Sequence, residues 1–167
     1  PDEAAKAARE SLEAQANNPS ALLVLSRIAL ARNQPAEARR HAVAALEQAP
    51  RMVDARFCVA CAELVAGNID ASKRELSVVL EAQPTHIEAN FWSARIAIDA
   101  RDLAAAEKHL ALVVAAAPGH DQAWTQRGLT AALGERWEDA ERYYKKALEL
   151  NAGNFEAWSQ CGDCARL

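Results

Sequence analysis

Five alanines, Ala21, Ala55, Ala89, Ala123 and Ala157, stand 34 residues apart along the chain, and a fixed period of that length is the mark of a stacked helical repeat. The same period returns Ser26, Ala60, Ala94, Gly128 and Gly162, so a second place in the unit accepts only small side chains and implies close helix contact. Ala4, Ala38, Ser72, Ala106 and Ala140 follow, then Leu12, Leu46, Leu80, Val114 and Leu148, and these places are expected to fill a core. In a stack of this kind each unit packs on its neighbours, so the number of repeats bounds the architecture better than chain length does.

Each unit divides into two amphipathic helices joined by a short turn. In the second helix of the unit Asp121 to Asn154, Trp137, Ala140, Tyr144, Ala147 and Leu148 lie three or four apart and form one apolar stripe, while Glu138 faces Arg142 and Glu141 faces Lys145 at i,i+4 spacing. Gly67, Gly134 and the polar pairs Asn33-Gln34 and Arg101-Asp102 mark the turns between helices, and Pro35 suits the first turn of a helix. Pro50, Pro84 and Pro118 punctuate the ends of second helices, because proline does not continue a helix interior.

With these residues in register the chain resembles a tetratricopeptide repeat array. Residues 1–18 read as the second helix of a preceding unit, 19–52, 53–86, 87–120 and 121–154 as full repeats, and 155–167 as the first helix of another. The unit 121–154 is nearest the family pattern, with Trp124, Gly128, Ala140, Tyr144 and Ala147, and Ala152 where the terminal proline usually stands. The resemblance implies an all-α, right-handed superhelix of stacked antiparallel helix pairs, one array over residues 1–167. Four residues depart from the pattern. Arg56 and Asn90 stand where Trp124 and Trp158 sit later, Arg127 occupies a usually apolar place, and Glu63 falls where Ala29, Ala97 and Ala131 pack. A buried carboxylate there needs a basic partner or a path to solvent.

A net charge of -4 without any block of like charge lacks the footprint of a nucleic-acid binder, and no apolar run approaches the roughly 20 residues that cross a bilayer. The chain opens on Pro1 in second-helix register and stops about one helix into a further unit, so it reads as an excised part of a longer protein. Four cysteines without a small disulfide framework favour free thiols and a reducing compartment such as the cytoplasm, though their even number leaves an oxidised reading open.

Cys58 with Cys61, and Cys161 with Cys164, form Cys-x-x-Cys pairs inside first helices three repeats apart. Helices spaced about 8–10 Å put the pairs too far apart for one metal ion, and Cys161 sits about two turns into its helix, away from the N-terminal dipole that activates a redox thiol. Packing as small hydrophobes is the favoured reading of them, with redox sensing as the alternative. His41 and His109 share a second-helix place expected to face solvent, and His86 and His120 occupy turns between units. Neither a nucleophile with its base, nor a phosphate loop, nor a metal-spaced ligand set can be read. The chain reads as non-enzymatic, with no metal and no cofactor.

In the resembled family the first helices line a concave face that receives partners. Carried over place by place, that face holds Leu23, Arg27 and Leu30, then Phe57, Cys61, Leu64 and Val65, then Phe91, Arg95 and Ile98, then Leu129 and Leu133, with Trp92 beside Phe91. Phe57, Phe91 and Trp92 are expected to form an apolar centre, because aromatic side chains left in water make a patch that a partner covers. The implied function is a non-catalytic scaffold that binds an amphipathic or apolar segment of a protein or peptide partner, with Arg27 and Arg95 setting its register. Two alternatives stand beside it: the recruiting arm of an enzyme whose catalytic domain lies elsewhere, and an assembly module that covers its groove by self-association. Chaperone carboxylate tails are poor candidates, because the clamp places hold Leu23, Arg27, Cys58, Glu88 and Trp92, or one unit on Phe57, Cys61, Trp92, Gln122 and Gln126.

Overall fold

The computed structural model describes residues 2–14 and 18–164, with side chains over 3–11 and 18–161. Leu12, Gly162 and Cys164, which the sequence placed in the core or in a thiol pair, lie outside the described side chains. Ten α-helices and no strand occur among the described residues: α1 (Asp2–Ala14), α2 (Pro19–Ala31), α3 (Pro35–Gln48), α4 (Val53–Val65), α5 (Ile69–Ala82), α6 (Ile87–Asp99), α7 (Leu103–Ala116), α8 (Asp121–Leu133), α9 (Trp137–Leu150) and α10 (Phe155–Cys164). They fall into two compact units, Pro1–Pro84 and Thr85–Leu167.

Local chemistry sets the helix ends with the same period. The turns inside the helix pairs occupy 32–34, 66–68, 100–102 and 134–136, and each holds one residue in the left-handed region: Asn33 (φ 57°), Gly67 (φ 82°), Arg101 (φ 61°) and Glu135 (φ 59°). Around each, two crossed backbone bonds close the helix, as where Gln34 N donates to Ala29 O and Asn33 N to Leu30 O, both at 2.9 Å. This is the Schellman arrangement, which satisfies the last carbonyls of a helix. Four of the first helices, all but α4, are capped by side chains at one place of the repeat. Asn18 Oδ1 accepts from Ser20 N and Ala21 N, His86 Nδ1 from Ala89 N, His120 Nδ1 from Ala123 N, and Asn154 Oδ1 from Ala157 N, at 3.0–3.2 Å.

In the first unit, α2 and α3 pair, α4 and α5 pair, and α1 packs on α2. Leu23, Ala42, Ala45, Ala55, Cys58 and Val59 form one buried cluster, Ala5, Ala8, Ala21 and Leu25 a second, and Ala29, Ala38 and Ala62 a third. Ala4 is exposed, contrary to the periodic reading, because α1 buries only the face it turns to α2, through Ala5 and Ala8. In the second unit, α6 pairs with α7 and α8 with α9, and α10 packs on α9 and α8. Phe91, Ala94, Ile98, Leu110, Val113 and Ala123 belong to one cluster there, and Ala131, Tyr144, Ala147 and Ala157 to another. Trp137, placed in the apolar stripe by its spacing, remains 40% exposed at the start of α9. Arg142 pairs with Asp139 at 2.7 Å rather than with Glu138, while Lys145 and Glu141 meet at 2.6 Å.

The small-residue place works by compensation. A Cβ on Gly128 would stand 2.5 Å from the ring of Tyr144, a fully buried side chain. Ala94 shares its cluster with Leu110, which occupies Tyr144's place one repeat earlier. The larger the residue arriving from the second helix, the smaller its counterpart on the first.

Candidate functional site

Each unit presents its own set of first-helix side chains. In the first unit Arg27 and Val65 are exposed, Val65 at 46%, while Leu30, Phe57, Cys61 and Leu64 are half-buried. Arg27 reaches from α2 to Asp54 on α4 at 3.3 Å with both side chains more than half in solvent, a pairing that orients the guanidinium and contributes little stability. Leu23, expected on the open face, is instead buried against Cys58 and Val59.

In the second unit Phe91, expected in the open aromatic centre, lies in the core. Phe91 is 8% exposed and Ile98 is 6% exposed, both packed in the cluster around Leu110 and Val113. The Phe91 ring meets the His120 ring with centroids 5.1 Å apart and Trp92 edge-on at 6.0 Å. A large ring at this place is drawn into the gap left by small residues, since Ala94, Ala106 and Ala123 surround it. Trp92 remains half-buried with the exposed Arg95 guanidinium 4.9 Å above its ring, an attraction worth about 0.5–1 kcal/mol at an open site. Leu129 and Leu133 are half-buried against the same cluster.

All four departures from the repeat pattern make polar contacts that cross helices. Arg56 on α4 pairs with Glu75 on α5 at 2.9 Å. Glu63 on α4 accepts from Arg39 Nε on α3 at 2.7 Å and from Asn68 Nδ2 at 2.8 Å. Those bonds, Asn68's first and then Arg39's, hold its carboxyl below the usual range against the opposing effect of burial. Asn90, 1% exposed, donates to His86 O at 2.9 Å and accepts from His109 Nδ1 at 2.8 Å. Arg127 on α8 meets Glu107 on α7 and donates to Tyr143 Oη on α9 at 3.1 Å, with its guanidinium 4.4 Å from the Tyr143 ring.

The histidines are not the solvated residues their spacing suggested. His86 is buried and His120 half-buried, each occupied in capping a helix. His109 is half-buried on the inner face of α7, and burial, followed by the charge of Lys108, pushes its pKa below the ordinary 6.5. The sequence carried a signal for this. Positions 56, 90 and 124 face 75, 109 and 143, so an ion pair, an amide–imidazole pair and the Trp124–Tyr143 ring pair at 5.8 Å fill one geometric slot in successive repeats.

Burial pushes the Cys58 thiol up, keeping it protonated. Cys58 and Cys161 are free thiols. Among the described residues, no three His, Cys, Asp or Glu side chains gather as a metal site and no helix is long and apolar enough to cross a membrane.

Paired helices turned at one period and stacked within each unit define a helical-repeat protein. Residues 63–133 match the family model of the tetratricopeptide repeat. Solved structures share the fold across most of the chain. MamA (41-end) from Desulfovibrio magneticus RS-1 is 21% identical with a TM-score of 0.78 over 89% of this chain and 84% of that one. PilF of Pseudomonas aeruginosa is 17% identical with a TM-score of 0.82 over 89% and 68%. YrrB, described as a TPR protein with an unusual peptide-binding site, is 20% identical with a TM-score of 0.72 over 95% and 81%. A comparison with curated proteins finds no match.

Proposed function

We propose that the protein is a non-catalytic interaction scaffold whose first helices receive an extended or helical segment of a partner. The observation that carries this reading is the set of apolar and cationic side chains left open on the first helices, which the core does not use: Val65 and Arg27 in the first unit, and Trp92 with Arg95 stacked on it in the second. In the first unit the half-buried Leu30, Phe57, Cys61 and Leu64 form apolar ground, with Leu23 beneath, and in the second Leu129 and Leu133 do so, with Phe91 and Ile98 beneath. An apolar anchor flanked by a guanidinium suits a segment with aliphatic or aromatic side chains and an acidic group to fix its register. The fold shared with YrrB, a protein described by its peptide-binding site, supports the same reading.

Selection from a displayed peptide library tests it, because the library samples segment chemistries broadly and the natural partner need not be in hand. Peptides chosen on the wild-type chain are expected to weaken at least about tenfold, a loss of about 1.4 kcal/mol, with Val65→Glu where they dock on the first unit or with Arg95→Glu where they dock on the second. Leu112→Glu, at an exposed second-helix position, is expected to leave their affinity unchanged. The reverse pattern would move binding off the first helices.

A further inference from the structure

Within each unit a first helix is flanked by two second helices, and the three enclose a slot. Around α4 that slot is filled from inside the chain. Glu63, whose side chain is 12% exposed, is held by Arg39 from α3 and by Asn68, with Arg74 of α5 adding positive charge nearby. Around α8 it is filled by the opposite arrangement, Arg127 meeting Glu107 of α7 and Tyr143 of α9.

Around α2 the described residues at the corresponding places are small or apolar. One period before Glu63 stands Ala29, and Ala5 stands one period before Arg39 and three before Glu107. Three periods before Arg127 stands Leu25. Small or apolar residues at these places leave a cavity of about 410 Å³ between α1, α2 and α3, floored by Ala5, Leu25 and Ala29. Its rim keeps part of what holds Glu63 one repeat later. Gln34 and Arg40 occupy the places of Asn68 and Arg74, and Arg9 brings a cation from α1 one turn beyond the place of Arg39. Arg32 and His41 also line the rim, and its carboxylate, Glu37, is already shared between Arg40 at 3.7 Å and His41 at 3.5 Å. Among the described side chains, Arg9 and Arg40 stand against Glu37 on this rim, and the volume lies in the range of sites that take small ligands.

We propose that this cavity binds a carboxylate carried on a short apolar stem, the chemistry that Glu63 supplies from within the chain one repeat later. The stem lies against Leu25 and Ala29, and the carboxylate accepts charge-assisted hydrogen bonds from Arg9, Gln34 and Arg40. The site is independent of the first-helix surface, because Leu25, Ile28 and Ala29 point to the side of α2 opposite Leu23, Arg27 and Leu30 at 100° per residue. An acidic side chain of a protein partner and a free carboxylic acid share this chemistry.

Two-dimensional amide NMR of the full chain distinguishes them. The probes are glutarate, a capped alanine-rich peptide with one glutamate, and the same peptide with glutamine instead. Saturable shifts of the Ala29, Gln34 and Arg40 amides are expected with a carboxylate probe and not with the glutamine peptide. Response to the glutamate peptide alone assigns the site to a partner's acidic side chain, response to glutarate alone to a free acid, and response to both shows that the carboxylate suffices. Arg9→Gln with Arg40→Gln, both exposed positions, is expected to weaken binding at least about tenfold. Ala29→Glu is expected to fill the cavity with its own carboxylate and abolish the response. No saturable shift with either acid, equal shifts with the glutamine peptide, or unchanged binding in the double arginine variant would overturn the proposal.

Discussion

At single residues, the repeat period sets backbone conformation more strictly than residue type. The four left-handed positions, Asn33, Gly67, Arg101 and Glu135, share one place of the unit, yet only one of them is glycine. The neighbouring Gly134 has an ordinary φ of -93°, so the glycine visible in that turn stands one residue before the position that calls for it. A left-handed backbone costs an L side chain roughly 1–2 kcal/mol that glycine avoids. Glu135→Gly and Arg101→Gly are therefore each expected to raise stability by about 0.5–1 kcal/mol, read as a higher denaturation midpoint; an unchanged or lower midpoint would contradict the assigned turn. His109 carries a second prediction. Its folded pKa lies below the ordinary 6.5 because burial disfavours the imidazolium, so the unfolded chain takes up the proton first on acidification. The stability this group contributes is full above about 6.5 and declines as pH falls towards the folded value. His109→Gln keeps a donor for Asn90 without the titration, so the variant is expected to gain on wild type in melting temperature as pH falls below 6.5. A constant difference between the two would show that His109 is not held neutral.

At the level of helices, packing depends on matched pairs more than on single residues. The place shared by Arg56, Asn90 and Trp124 is recognisable in the sequence as irregular, but nothing local announces that Glu75, His109 and Tyr143 answer it from the second helix. That pairing follows from antiparallel docking, which aligns two places 19 residues apart in the chain. The same logic governs Gly128 and Tyr144. Gly128→Ala alone drives a methyl group into the Tyr144 ring and is expected to cost about 1–3 kcal/mol by overpacking. Adding Tyr144→Leu restores the Ala–Leu combination seen at Ala94 and Leu110 and is expected to recover part of that loss. A double-mutant cycle with no coupling between the two would show that they do not share the contact.

Across the whole chain, each helix draws its stability from the helices packed against it, so protection should track position in a unit. In α10, Phe155 is 83% exposed and Trp158 is 59% exposed, whereas Ala123 and Leu110 in the same unit are fully buried. Amide hydrogen exchange is expected to be fastest in α1 and α10 and slowest in α4 and in α7 to α8; uniform protection would contradict a stack stabilised by neighbour contacts. The sequence by itself determined the helix pairs, their turns and the small-residue places, because these answer to a period of 34 residues and to local rules of capping and amphipathicity that act within a few residues. It also marked Glu63 as needing a partner. Only the tertiary structure decided that Arg39 and Asn68 supply it, that Phe91 and Leu23 sink into the core while Trp92 and Val65 stay open, and that an arginine-lined cavity remains beside Ala29. The physical reason is that burial and charge pairing depend on which side chains meet across helices, and a residue's own helix carries that information only in part.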